Sequence, residues 1–536
     1  MAVSKYICCC FADDSDDDSD FMRPLLDHTG LTPPRSMGPR KRTYGAKKSA
    51  FSAAAAAIFG SAVNDPSPAI PSPPRSPLAD ITSAIGNIAL GAGEDEEEES
   101  GDNVPQEVED PAAYLQPLIA AYKADRNRTL EIQKWKDILT EDCSVTKIAE
   151  ASYAEVYRIS TDSGTSIIKV MRLQSPHDVD SLELETAIKI KSVVSEIRIM
   201  NALTELPGFV KFKDAHLIQG KSTKLFKHAY GAHERQSKDG SFFPNPLTYT
   251  DDSVFLAIEL GDAGTVLEEF KLETIDQVWD VLLGVIMALA KGEADFEFEH
   301  RDLHENNICV SSTRSPEHKP EHPTLCRFGY SDLEVTIIDY GLSRATLQNG
   351  DTVSYDLEED LTIFEGTDGH PQFNAYRKMR THLFTSTRGM YPSTWHKPES
   401  RNENNGHTWS EHVPYTNVIW IQFILGHLKR EFKKKNGASS PELRQFTEET
   451  KELSKRLDPR TKVENGAFQT AYEVLEFVLW QGWVTYDQAD ASGVEFDTLS
   501  LSDDEDDSVE DTEVEQEVDD SQGRRGKRMG KRRAAE

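Results

Sequence analysis

The chain has 536 residues, of which 38% are apolar and 28% charged, and its formal net charge is −33. That length admits two to four average domains, but so low an apolar share implies one large folded body with long solvated extensions. Six cysteines, none at paired zinc-ligand spacing, exclude a disulfide framework and suit a reducing compartment, and no apolar run approaches the roughly 20 residues that span a bilayer.

From Met1 to about Pro111 the chain is poor in aromatics and rich in Pro, Ser, Ala and acid. Acidic blocks at Asp13–Asp20 and Glu94–Glu99 are opposed by a basic cluster, Arg40–Lys48 (RKRTYGAKK). Like charges in blocks repel and stay solvated, so residues 1–111 are expected to be a disordered arm. The triplet Cys8–Cys10 has no second membrane signal beside it, and no membrane association is expected. Pattern begins near Tyr114 and strengthens at Trp135; all seven tryptophans lie between Trp135 and Trp483, so residues 135–486 are the expected folded domain.

Within that body, Thr146–Ser160 (TKIAEASYAEVYRIS) reads as two strands around a turn, and Thr165–Arg172 (TSIIKVMR) as a third. Leu182–Leu203 carries Val193, Ile197, Met200 and Leu203 at helical spacing, and Val254–Glu259 (VFLAIE) reads as a buried strand. Helical periodicity then dominates: Ile275–Lys291, Val418–Phe432, Pro441–Leu457 and Thr470–Trp480. A β-rich part followed by a helix-rich part predicts a two-lobed α+β fold. From residue 490 to 536 an acidic tract and a basic tail, Arg524–Arg533, predict a second disordered arm.

The chemistry concentrates in two segments, His300–Asn307 (HRDLHENN) and Ile337–Arg344 (IIDYGLSR). Together they match the protein-kinase catalytic loop and its metal-binding partner. Phosphoryl transfer needs a carboxylate to accept the substrate hydroxyl's proton, the role of Asp302, next to Arg301 of the same motif. It also needs oxygen ligands for Mg²⁺ on the ATP phosphates, which Asn307 and Asp339 supply. Tyr340 stands where kinases have Phe. Upstream, Lys169 in SIIKV matches the strand lysine that contacts the α- and β-phosphates, and Glu196 on the following helix is its expected partner. Glu259 and Gly261, around the end of the Val254 strand, complete the expected ATP contacts. The nucleotide loop departs from the pattern: Ile148–Val156 reads IAEASYAEV, with Ala149, Ala151 and Ala154 at all three glycine positions. Alanine costs little where φ is negative and more where it is not, so a stiffer hairpin, standing further from the phosphates, is expected.

FEHRDLHENN, IIDYGLSR, DLEEDLTIF (Asp356–Phe364), FNAY (Phe373–Tyr376) and WSEHVPYTNVIW (Trp409–Trp420) together resemble the haspin family of divergent protein kinases. Gly341 departs from that family's Asp-Tyr-Thr, and no Ala-Pro-Glu motif follows; Lys397-Pro398-Glu399 is a poor substitute. The resemblance implies a nuclear, chromosomal kinase that uses ATP and Mg²⁺ on a threonine near the N-terminus of histone H3 in mitosis. It also implies that Glu358, Glu359 and Asp360 bind the basic tail, with His304 as a further substrate contact. A reader of a basic tail needs carboxylates around its cleft. The two basic clusters read as import signals or nucleic-acid contacts, and RKRTYGAKK is similar to short peptides that dock on cohesin-associated regulators. Two rival functions compete: a pseudokinase scaffold, suggested by the glycine-free loop, and a small-molecule phosphotransferase of the choline or aminoglycoside kinase type, whose loop also contains D-L-H-x-x-N.

Overall fold

The computed structural model describes residues 112–493 apart from 141, 177–185, 238–239, 321–323 and 398–405. Both arms, with their charged clusters and Cys8–Cys10, lie outside the described residues, as does part of the Lys397-Pro398-Glu399 stretch.

Six strands form the first sheet: β1 (Ile132–Gln133), β2 (Ser144–Glu150), β3 (Ala154–Thr161), β4 (Gly164–Arg172), β5 (Phe212–Gln219) and β6 (Val254–Leu260). Their order is β1-β5-β6-β4-β3-β2; β1 runs parallel to β5, and the other pairs are antiparallel. The register puts Ala149, Val156, Lys169 and Ile258 side by side on one face, and Lys147, Tyr157, Ile168 and Glu259 on the other, because side chains alternate along a strand. Two short helices cover this second face, α1 (Gln116–Arg126) having already preceded the sheet in the chain. They are α2 (Trp135–Ile138) and, after α3 (Ile190–Leu203), α4 (Lys224–Gln236). Trp135, Tyr157, Ile168, Phe226 and Phe255 form one apolar cluster there, with Phe226 edge-on to Trp135 at 4.7 Å and to Tyr157 at 4.5 Å.

Helix α3 starts at Ile190 rather than at Leu182. Ile188 pairs with the end of β4, its N–H donating to Arg172 O at 2.8 Å, and this holds the approach to the helix extended. α1 packs on α3 ahead of the expected domain start at Trp135: Arg198 on α3 pairs with Asp125 at 3.1 Å, and Arg126 donates to Asn201 at 3.1 Å.

The second part is built on α5 (Ile275–Phe296), whose first turn is closed by a Thr274–Gln277 capping box and whose residues are mostly buried. Beside it stand the small sheet β7 (Thr265–Val266), β8 (Ile308–Ser312) and β9 (Leu333–Ile337), and the hairpin β10 (Arg344–Thr346)–β11 (Thr352–Ser354). Helices α6 (Pro371–Thr385) and α7 (Tyr415–Asn436) follow. The predicted Pro441–Leu457 helix is two, α8 (Pro441–Glu449) and α9 (Lys451–Leu457), separated at Thr450. Thr450 carries the break: its side chain donates to Phe446 O at 2.7 Å while its ψ is 10°. α10 (Ala471–Trp480) and α11 (Tyr486–Ala491) end the described chain. Among the described residues no helix is long and apolar enough to cross a membrane. The α+β, two-part arrangement is the one expected.

Candidate active site

The loop Glu299–Asn307 between α5 and β8 is held from three sides. Arg301, buried at φ 64°, makes a bidentate pair with Glu299 at 3.1 and 3.1 Å and donates to Trp409 O at 2.7 Å, over the Trp409 ring. Glu299 also accepts from Val413 N at 2.7 Å and from Thr416 Oγ1 at 2.8 Å. Arg301 is therefore placed as a brace between the loop and the entry to α7, its guanidinium turned to Glu299, Trp409 and Glu411. Behind the loop, His300 Nδ1 accepts from Asp302 N at 3.2 Å, so its proton sits on Nε2 and is donated to Ile338 O at 3.1 Å. Burial pushes this imidazole down to about 4, so it is neutral. Asn307 closes the loop, donating from Nδ2 to Asp302 O at 2.7 Å.

On the opposite side, Lys169 of β4 meets Glu196 of α3 at 2.6 Å and Asp339 at 3.3 Å. Burial disfavours the ammonium, but Asp339 and Glu196 outweigh it and hold Lys169 above its ordinary value. Burial likewise works against the Asp339 carboxylate, and Lys169 overrides it, holding Asp339 below the usual range. Asp339 itself sits at φ 64°, two residues after the end of β9. Tyr340 fills the place of Phe with its ring buried between Phe209 and Phe298, and its added hydroxyl is satisfied: it donates to Ile337 O at 2.9 Å and accepts from Val210 N at 3.3 Å. Gly341 is not at positive φ, and a Cβ there would meet only Asp339 Oδ1 at 3.5 Å, so the backbone does not require glycine.

Asn307 and Asp339 fit a hard divalent cation. Their strands run side by side, with Ile338 N donating to Asn307 O at 3.0 Å. The Asn307 amide nitrogen is committed to Asp302 O, which turns its oxygen away as the free ligand atom. One carboxylate and one amide oxygen are too few for an all-protein cage and suit Mg²⁺ shared with phosphates. No group of three or more His, Cys, Asp or Glu with metal-site geometry occurs among the described residues.

The nucleotide loop is a tight β2–β3 hairpin in which Ala151 N donates to Ala154 O at 2.7 Å. None of Ala149, Ala151 and Ala154 has positive φ, so the missing glycines strain nothing. Ala149 and Val156 share the Lys169 face, and Ile148 lies at a register shift. Glu259 does not join them. Its side chain lies on the opposite face, turned away from Lys169, where it accepts from Ser166 at 2.6 Å. Gly261 N is spent on Lys211 O at 2.8 Å.

The three expected substrate acids separate. Glu358 is bound bidentately by Arg380 of α6 at 2.7 and 2.8 Å, which makes it an internal counter-ion. Glu359 pairs with exposed Lys191 at 2.8 Å. Asp360 is buried, accepts from Thr362 N at 3.0 Å, and stands near the nucleotide-loop tip: after burial, its charge is the main influence raising the Tyr153 hydroxyl. His304 Nε2 lies 3.6 Å from Asp302 Oδ1, and burial lowers this ring to about 3, so the contact is not an ion pair. Tyr376 and Gln372 also close on Asp302 from α6; FNAY is visible in the sequence as a segment, but nothing in it marks the tyrosine's target.

A strand lysine paired with a helix glutamate, facing a loop Asp and Asn and a second Asp after a short strand, defines the site of a protein kinase. Residues 121–474, more than half of the chain, match the family model described as "Haspin like kinase domain". The chain belongs to this family. It is 28% identical over 329 residues to the serine/threonine-protein kinase haspin homolog of Drosophila melanogaster, covering 57% of this chain and 52% of the relative. It is 27% identical over 311 residues to serine/threonine-protein kinase haspin of Bos taurus (56% and 36%), and 28% identical over 307 residues to the haspin homolog of Arabidopsis thaliana (54% and 45%). The chain thus spans about half, or less, of the length of these relatives.

Proposed function

We propose that this protein is an active ATP- and Mg²⁺-dependent serine/threonine kinase whose substrate is a threonine near the N-terminus of histone H3 in mitotic chromatin. The observation that carries the catalytic part is the closed Lys169–Glu196–Asp339 set, brought beside Asp302 and Asn307. A pseudokinase scaffold is favoured by the glycine-free loop alone, and none of that loop's three alanines holds the positive φ that would call for glycine. The substrate part rests on family membership and on the names of the relatives; Asp360, beside the loop tip, is the acid we assign to the basic flank of the tail.

In this reading Asp302 accepts the threonine proton as the threonine oxygen bonds to the γ-phosphorus and the bond to the β-phosphate oxygen breaks, leaving ADP. Lys169, fixed by Glu196, orients the α- and β-phosphates, and neutral His304 adds no competing positive charge beside Asp302. Mg²⁺ held by Asn307 and Asp339 would offset negative charge on the phosphates. We extend the proposal to a nuclear and chromosomal location, with Arg40–Lys48 and Arg524–Arg533 as import signals or chromatin contacts and Arg40–Lys48 as a docking peptide for cohesin-associated regulators. The test is incubation of the full chain with ATP, Mg²⁺ and an H3 tail peptide, with the site mapped by mass spectrometry. Phosphate on a threonine near the peptide's N-terminus is expected; ATP binding without transfer to any protein substrate would select the scaffold.

A further inference from the structure

Asp302 has a neighbour that the catalytic motif does not contain. Tyr376, on α6, donates its hydroxyl proton to Asp302 Oδ1. Gln372, one turn earlier on the same helix, donates from Nε2 to the Tyr376 oxygen at 2.9 Å. Spacing of four residues puts both on one side of the helix. Because Gln372 supplies a proton to that oxygen, the tyrosine's own proton is the one directed at the carboxylate. The arrangement is closely packed. The Tyr376 side chain is fully buried, edge-on to Trp420 at 5.6 Å, and Gln372 is buried as well. The same helix is tied down by Arg377, which donates to Phe364 O at 2.8 Å, and by the Arg380–Glu358 pair.

We propose that Tyr376, oriented by Gln372, is a positioning residue for Asp302: it occupies Oδ1 and so leaves Oδ2 as the oxygen that receives the substrate hydroxyl's proton. This rests on the kinase reading above. A carboxylate held at one oxygen cannot rotate about its Cβ–Cγ bond without breaking the bond to Tyr376. The substrate threonine therefore meets an acceptor of fixed direction, and a misplacement of about 1 Å at a reacting centre can cost roughly a hundredfold in rate. The bond also anchors the base to the helix that follows the substrate-side segment Asp356–Phe364, linking seating of the peptide to placement of the base.

The experiment compares the full-length wild type with Tyr376→Phe and Gln372→Ala, measuring peptide phosphorylation, direct ATP binding by calorimetry, and melting temperature. Tyr376→Phe keeps the ring and removes only the donor. It should lower kcat about ten- to a hundredfold while KM for ATP, ATP affinity and melting temperature stay near wild type, and Gln372→Ala should show a smaller loss of the same kind. A Tyr376→Phe enzyme with kcat within twofold of wild type would overturn the inference and leave the kinase reading standing. A kcat loss that merely follows lost ATP binding or stability would also overturn it, as a packing effect. A wild type that binds ATP and transfers phosphate to nothing would overturn both.

Discussion

Five non-glycine residues hold positive φ among the described residues, and three of them, Asn127, Glu297 and Ser386, simply end helices. The other two are Arg301 and Asp339, on either side of the site. A residue held there costs on the order of 1–3 kcal/mol and persists only where its surroundings over-determine it. Here the Glu299–Arg301 pair and the Lys169–Asp339 contact do so. The acidic run also divides by what each carboxylate touches. Arg380 is buried among the rings of Phe364, Phe384 and Trp395, and Glu358 is its bidentate partner. Glu358→Ala would leave that guanidinium without its counter-charge, and urea denaturation should show a loss of about 3–5 kcal/mol. Glu359→Ala, which breaks only an exposed pair with Lys191, should cost less than about 1 kcal/mol. The alanines make a different forecast. Since none needs positive φ, Ala149→Gly with Ala151→Gly should lower stability by roughly 0.5–1 kcal/mol per site, with ATP affinity nearly unchanged. A clear gain in ATP affinity would show that the methyl groups do hold the phosphates away.

At the scale of elements, the nucleotide hairpin is supported from its outer face. Lys147 is fully buried, pairing with Glu155 at 2.5 Å and Glu150 at 2.6 Å, under the rings of Tyr230 and Phe243. Glu150 in turn accepts from Phe242 N at 2.9 Å and from Ser241. Helix α4 and the chain after it thus clamp the hairpin. Lys147→Met would leave two carboxylates facing apolar and aromatic groups without a cation, so the variant should be less stable by several kcal/mol and should bind ATP more weakly. Unchanged ATP binding in a folded variant would show that the clamp is structural only. Neither this clamp nor α4 was legible. Lys224–Gln236 is mostly polar, includes Gly231 and buries only Phe226, Ala229 and Tyr230, too thin a stripe to stand out by periodicity. Helix α6 was hidden for the opposite reason: it buries Arg377 and Arg380, residues that a pattern search assigns to solvent. β4, β6, α5 and α10 were legible because their buried faces are mostly apolar, with Arg172, Asp280 and Glu293 as the buried exceptions.

For the molecule as a whole, Asp302, Asn307, Asp339, Lys169 and Glu196 could be read from the sequence because the chemistry fixes short spacings within two loops, and the strand and helix that carry the ion pair follow one another. The side chains that tune the centre could not. Tyr376 lies 74 residues from Asp302, and the Arg301 brace runs to Trp409 and Glu411, more than a hundred residues away. Such contacts are products of tertiary packing and leave no fixed offset in the chain. The most direct test of an intact phosphoryl-transfer centre is Mg²⁺-dependent phosphate transfer from ATP to an H3 tail peptide by the wild type and by Asp339→Asn, with melting temperatures recorded in parallel. The wild type should transfer phosphate, and the variant should lose at least about a hundredfold of that transfer while remaining folded, since the substitution removes a metal-ligand charge. Equal transfer by both proteins would contradict the assignment of Asp339, and with it the proposed centre.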